Sequence, residues 1–140
     1  MEAKQTWEVD ANNNENVIEI FLAKLDQAIS DAKDALIDRF EWICSQSPAS
    51  AKFMYENGLM AGYVPEEGIR SALKHGTLAV GSLGLAETLQ ILIGQDHTTP
   101  EGMEVAKQIY QLFKTRCTQF KEQYKLNFGV YLTPKHHWGA

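Results

Sequence analysis

Cysteine is nearly absent from this 140-residue chain: Cys44 and Cys117 stand alone, and neither belongs to a C-x-x-C pair. That excludes a zinc ribbon within the chain and any disulfide framework. Long apolar runs are also missing. The longest central stretch, Leu83–Ile93, is interrupted by Glu87, Thr88 and Gln90, so no segment is expected to span a membrane. Met1–Asp10 is polar and charged without an apolar h-region; no secretory signal is expected, and a reducing cytoplasm is the expected location. Positive charge is in deficit, with 13 Lys and Arg against 18 Asp and Glu and a net charge of −5. The average surface field repels a phosphate backbone, which argues against nucleic-acid binding but leaves room for a local cationic pocket.

Familiar nucleotide loops are lacking too. Gly81-Ser82-Leu83-Gly84 follows an apolar run but does not have the first spacing of G-x-G-x-x-G, and no Gly-Lys-Ser/Thr completes a P-loop. Close backbone packing at a strand–helix corner explains these glycines better. The adjacent His136-His137 pair has no partner spacing for a metal, so no metal site is expected. His75 and His97 fall at element ends, where capping of carbonyls is the plain reading.

What is present is an ordinary globular composition, with 44% hydrophobic and 22% charged residues. The length suits one domain, which would bury about two thirds of its unfolded surface. Residues 1–14 read as a polar lead-in and 15–140 as a single domain. From Glu15 to Cys44 apolar residues recur at helical spacing (Ile18, Phe21, Leu22, Leu25, Ile29, Ala32, Leu36, Phe40, Ile43), with Asn13 or Asn14 as the N-cap. A stripe of this kind is normally a core-facing surface. Ser45–Ser50 breaks the helix. Phe53–Met60 reads as a brief strand or irregular segment around the Asn57-Gly58 turn, and Pro65-Glu66-Glu67 opens a short helix to Lys74, closed by Gly76.

Thr77–Leu83 reads as a buried strand and Leu85–Ile93 as an apolar helix closed by Gly94. Glu87, at that helix's start, is a favourable charge for its dipole. Thr98-Thr99-Pro100-Glu101 carries a capping-box pattern, Thr with Glu three residues on, and opens a helix over 99–124. Residues 126–132 read as a second strand, stopped by Pro134. Strand, two helices, strand is a crossover, so the strands should be parallel. Two parallel strands need neighbours and cover, so the sheet is expected to be incomplete.

Two blocks carry a resemblance. Leu73-Lys74-His75-Gly76-Thr77 leads through Gly81, Gly84, Leu85 and Glu87; further on come Arg116-Cys117 and Tyr124, Leu126, Asn127 and Phe128. Jointly these are similar to motifs of the anaerobic, glycyl-radical (class III) ribonucleoside-triphosphate reductases, well over Phe53–Pro134 and loosely over the first helix. The resemblance implies a mostly helical α/β segment, part of a ten-stranded barrel in two parallel halves, with this chain supplying about two strands. Gly81, Gly84 and Glu87 would form the strand–helix corner.

The family's last strand enters a Thr-Pro-Ala-Glu loop near the substrate phosphates. Thr133-Pro134 is kept here, and Lys135-His136 replaces Ala-Glu. The resemblance therefore implies a phosphate rim of Thr133, Pro134 and Lys135, where backbone N–H groups concentrate positive charge. It places the radical cysteine, the glycyl radical and the structural zinc outside this chain, with no catalytic residue and no cofactor within it. Implied partners are a ribonucleoside triphosphate, flanking reductase segments and a radical-activating enzyme, in deoxyribonucleotide supply for DNA replication. The alternative is a non-catalytic relic, a helical self-association or interaction module that covers its strand edges as a homo-oligomer.

Overall fold

The computed structural model describes residues 14–133 of the chain. Helix α1 (Asn14–Cys44) has 31 residues, a rod about 46 Å long at 1.5 Å per residue. Its apolar stripe turns inward as expected: Phe21, Ile29 and Phe40 are buried. Val17, fully buried, extends the stripe one residue earlier than the sequence reading. Asn14 is the first helical residue, so it is not the cap; Asn13 lies outside the described residues.

Between α1 and the sheet the chain is less regular than its sequence suggests. A 3-10 turn at Pro48–Ala51 is capped by Ser47, whose Oγ accepts from Ala49 N at 3.2 Å. The segment expected as a strand or irregular stretch contains a short helix instead, α2 (Lys52–Glu56). The expected helix from Pro65 to Lys74 is two pieces: a 3-10 turn at Pro65–Glu67 and α3 (Arg70–Leu73), separated at Gly68, where φ is 71°. Ser71 explains the break. Its buried Oγ accepts from Val64 N at 2.8 Å and donates to Gly68 O at 2.6 Å, pinning the loop where a continuous helix would have no room for it. Gly76 is not the cap of α3, which ends at Leu73 with Lys74 in the right-handed region.

Strand β1 (Thr77–Leu83) and helix α4 (Leu85–Ile93) fall where the sequence places them. Helix α5 (Pro100–Tyr124) starts from Thr99, whose Oγ1 accepts from Gly102 N at 3.1 Å. The capping box is therefore corrected by one residue: the cap is Thr99, not Thr98, and Gly102 occupies the position three residues on. Gly102 must be glycine, because a Cβ there would stand 1.8 Å from the Asp96 carbonyl oxygen. Strand β2 (Asn127–Thr133) begins one residue later than expected. Lys125, at φ 55°, closes α5 by donating its N–H to Lys121 O, and this left-handed step holds Leu126 out of the ladder.

β1 and β2 pair in parallel from Thr77 opposite Asn127 to Leu83 opposite Thr133. Helices α1, α4 and α5 pack on one face only. There Val80 and Phe128 join Leu89, Leu92, Ile109, Phe113 and Phe120 in the core. Phe120 and Phe128 meet with ring centroids 5.4 Å apart. The expectation of a buried β1 is thus corrected: Thr77, Ala79, Gly81 and Leu83 are exposed, and Val80 alone is buried. Among the described residues, helices cover one side of this two-stranded sheet and nothing packs on the other.

Candidate functional site

The parallel register decides which candidate residues come together. Leu83 and Thr133 are the last pair, so both strands end on the same side of the sheet. The corner of Gly81, Gly84 and Glu87 therefore lies beside the backbone of Thr133. Pro134 and Lys135, with His136, His137 and Trp138, lie outside the described residues.

The corner is built by Gly84. Its φ of 81° and ψ of 34° turn the chain from β1 directly into α4, a left-handed step that costs other L-residues roughly 1–2 kcal/mol. Thr88 locks it, donating from N at 2.9 Å and from Oγ1 at 2.8 Å to the Gly84 carbonyl. Glu87 sits in the first turn of α4, and a Cβ at Gly84 would be 3.6 Å from its Oε2. A carboxylate here suits the positive end of the helix. It also disfavours a second anion at that helix start.

The bare face of the sheet adds a residue that the sequence reading passed over. Tyr131 stands opposite Gly81 and is 63% exposed; a Cβ on Gly81 would lie 3.8 Å from its ring. The alternation Asn127, Gly129, Tyr131 could have revealed it, since these residues point away from Phe128 and Val130. At the far end of the same face, Asn127 Nδ2 donates to Thr77 Oγ1 at 2.5 Å. Along the outer edge of β1, a groove of about 270 Å³ opens against α1, lined by Leu25, Ala28, Ile29, Ala32 and Leu83.

Both cysteines are poor nucleophiles. Burial pushes the Cys117 thiol above its ordinary value, with Lys121 partly opposing, and Cys117 is packed in the core. Burial likewise raises the half-buried Cys44, partly offset by Arg70. A raised thiol holds less thiolate at neutral pH. Among the described residues no three His, Cys, Asp or Glu side chains are grouped to hold a metal ion. Among them also, no helix is long and apolar enough to cross a membrane.

A group of polar contacts away from the corner joins α1 to α5. Arg116 donates from Nη2 to Ser30 Oγ at 2.7 Å and from Nη1 to Gln119 Oε1 at 2.8 Å, with its guanidinium 4.9 Å from the Phe120 centroid. Its Nε lies 3.0 Å from Asp26 Oδ1, a charge contact without hydrogen-bond alignment. Lys33 Nζ reaches Asp34 at 2.5 Å and Tyr124 OH at 3.2 Å and lies 5.6 Å from the Phe120 centroid. These contacts fix how α5 delivers β2 to the sheet.

Compared with known proteins, the chain has no match among curated proteins. The family model described as anaerobic ribonucleoside-triphosphate reductase, in contrast, matches residues 9–137, a span that takes in both strands, the corner and both long helices. This chain belongs to the anaerobic ribonucleoside-triphosphate reductase family.

Proposed function

We propose that the chain supplies a segment of the catalytic barrel of an anaerobic ribonucleoside-triphosphate reductase, the enzyme that makes deoxyribonucleotides by a radical route. One observation carries the reading: a parallel strand pair has helices on one face and a bare face on the other, as a barrel segment would. Thr133, Pro134 and Lys135 form part of the rim that holds the substrate phosphates, while Gly81, Gly84 and Glu87 shape the neighbouring corner. The substrate is a ribonucleoside triphosphate, and the partners are flanking reductase segments and a radical-activating enzyme, all in the cytoplasm.

By itself the chain does not reduce nucleotides. Its two cysteines lie in helices with raised thiols, and they do not fit a four-cysteine zinc site. The radical centre and the zinc belong to other segments of the enzyme. Coexpression with those segments tests the reading: the chain should copurify with them in a one-to-one complex, and failure to do so counts against it.

A second reading has its own observation. The strands TLAVGSL and NFGVYLT carry no charge and no proline to guard their edges. Such edges favour self-association, in which the chain would serve as a non-catalytic interaction module. Sedimentation of the purified chain separates the readings, because the module forms a dimer that Leu83→Lys disrupts.

A further inference from the structure

We propose that the groove lined by Tyr55 and Tyr63 is a docking site for a proline-rich segment, in polyproline II conformation, that carries a basic residue at one end. No strand residue contributes to this groove, and the proposal stands independently of the barrel reading above. Three observations lead to it.

The first is the groove itself. Its volume is about 520 Å³, and its walls include Pro48, Lys52, Tyr55, Glu56, Tyr63 and Pro65. That size falls within the roughly 300–1,000 Å³ of ligand clefts. Local hydrogen bonds hold each wall. Ser47 caps the turn that carries Pro48, and Asn57 Nδ2 donates to Phe53 O at 2.8 Å at the end of α2. Buried Ser71 fixes Val64, the neighbour of Tyr63. The stretch that builds the groove is also rich in uncovered apolar surface. Among the described residues, five of the ten exposed large hydrophobics (Trp42, Phe53, Met54, Leu59 and Val64) fall within 42–64. Such a concentration marks an interaction surface rather than scattered exposure.

The second is the aromatic pair. The rings of Tyr55 and Tyr63 lie 4.8 Å apart at their centroids and tilt by 54°. Rings this close touch each other and leave no gap for a cation, which argues against a cage for a quaternary ammonium. They offer instead a half-buried aromatic surface beside two prolines, on which another proline ring can pack. Neither phenol makes a hydrogen bond among the described residues. A polyproline II backbone has no internal hydrogen bonds, so its carbonyls seek donors, and a tyrosine O–H is one. A helix would arrive with its carbonyls already paired, and an extended strand needs a sheet edge that this groove does not have. Aromatic-lined grooves are the usual receptors for polyproline II segments.

The third is charge. Lys52 Nζ and Glu56 Oε1 are 3.9 Å apart with both side chains exposed, a loose pair worth little. Glu66, next to Pro65, is exposed and has no ion pair among the described residues. The groove and its rim thus set two carboxylates against one ammonium. That balance, on a chain of net charge −5, complements a basic end residue and repels an acidic one.

The test is an NMR titration of the purified chain with a synthetic peptide of two Pro-x-x-Pro repeats ending in arginine. Two further peptides carry alanine for every proline, or glutamate for the arginine; choline chloride is titrated as a cation control. Wild type is compared with Tyr55→Phe, Tyr63→Phe, Tyr63→Ala and Glu66→Gln, and the phenylalanine variants keep the rings and the fold. The expected result is saturable binding of the proline peptide that shifts the Tyr55 and Tyr63 ring signals. Tyr63→Ala should weaken it about tenfold, and each phenylalanine variant less. The alanine peptide should bind about tenfold more weakly than the proline peptide. Glu66→Gln should narrow the difference between the arginine and glutamate peptides. No saturable binding of the proline peptide at millimolar concentration overturns the proposal, as does equal binding of the alanine peptide. Affinity unchanged in all three tyrosine variants overturns it too, as does choline shifting the same ring signals more tightly than the peptide.

Discussion

Leu83 and Thr133 face one another as the final pair of the parallel ladder. Paired residues lie 50 positions apart in the chain, yet the glycine corner after β1 and the last residue of β2 lie at one end of the sheet. The helices between them make this juxtaposition. Thr99 starts α5, Lys125 stops it, and the contacts of Arg116 and Lys33 with α1 hold it in place. A shift of one residue at either end of α5 would turn Phe128 out of the core, because side chains alternate along a strand.

Gly84 is expected to resist substitution for a backbone reason. Gly84→Ala meets nothing closer than Glu87 Oε2 at 3.6 Å, but its φ of 81° is unfavourable for alanine. A loss of about 1 kcal/mol is expected in urea denaturation. Gly81→Ala, in an ordinary strand conformation with contacts at 3.6 and 3.8 Å, should cost less.

Gly102 is a harsher case. An added Cβ would stand 1.8 Å from Asp96 O and 2.6 Å from its carbonyl carbon, both backbone atoms. Gly102→Ala should therefore destabilise by about 3 kcal/mol or more, since the turn must leave the helix or α5 must start elsewhere. Circular dichroism melts of the two glycine variants side by side would rank them.

The α1–α5 contacts should be coupled. Arg116→Ala removes two side-chain hydrogen bonds, a charge contact and a cation–π contact, for an expected loss of about 1–2 kcal/mol. A double-mutant cycle of Arg116→Ala with Ser30→Ala should give a coupling energy that the Arg116→Ala, Thr118→Ala pair does not.

Lys33 sets an alkaline limit on the same contact. Its hydrogen bond to Asp34, then that to Tyr124, raise its pKa above the ordinary 10.5. The folded state therefore holds this proton more tightly than the unfolded chain. The stabilisation is fully present below the unfolded value and is lost as pH rises through the raised one. Comparison of urea midpoints for wild type and Lys33→Met should show their difference shrinking only in that alkaline window.

The thiols offer a check on the inert cysteines. Both are raised above the ordinary 9.0 by burial, so alkylation at neutral pH should be slow at each. Cys44, half-buried, should react first, and Cys117 only on unfolding.

Much of this architecture was legible in the residues. The stripe from Phe21 to Phe40 marks α1, and the small-residue run Thr77–Leu83 with a glycine on its heels marks β1 and its corner. Local chemistry misled where a distant contact decides. Pro65-Glu66-Glu67 is a good helix start, but Ser71 reaches back to Val64 and Gly68 and breaks the helix. Residues 77–83 read as buried because they are uncharged; uncharged strands also arise where a neighbour is required, and here the helices cover one face alone. Tyr131 was hidden by the same pattern, since a tyrosine in an apolar strand reads as core until the register shows which way it points.

The most direct test of the central claim is deoxyribonucleotide formation in a reassembled enzyme. Flanking reductase segments and their radical-activating enzyme would be incubated anaerobically with a ribonucleoside triphosphate and reductant, with and without this chain. The account expects product only when the chain is added to the other segments, and none from the chain alone. Equal product without the chain, or turnover by the chain alone, would contradict it.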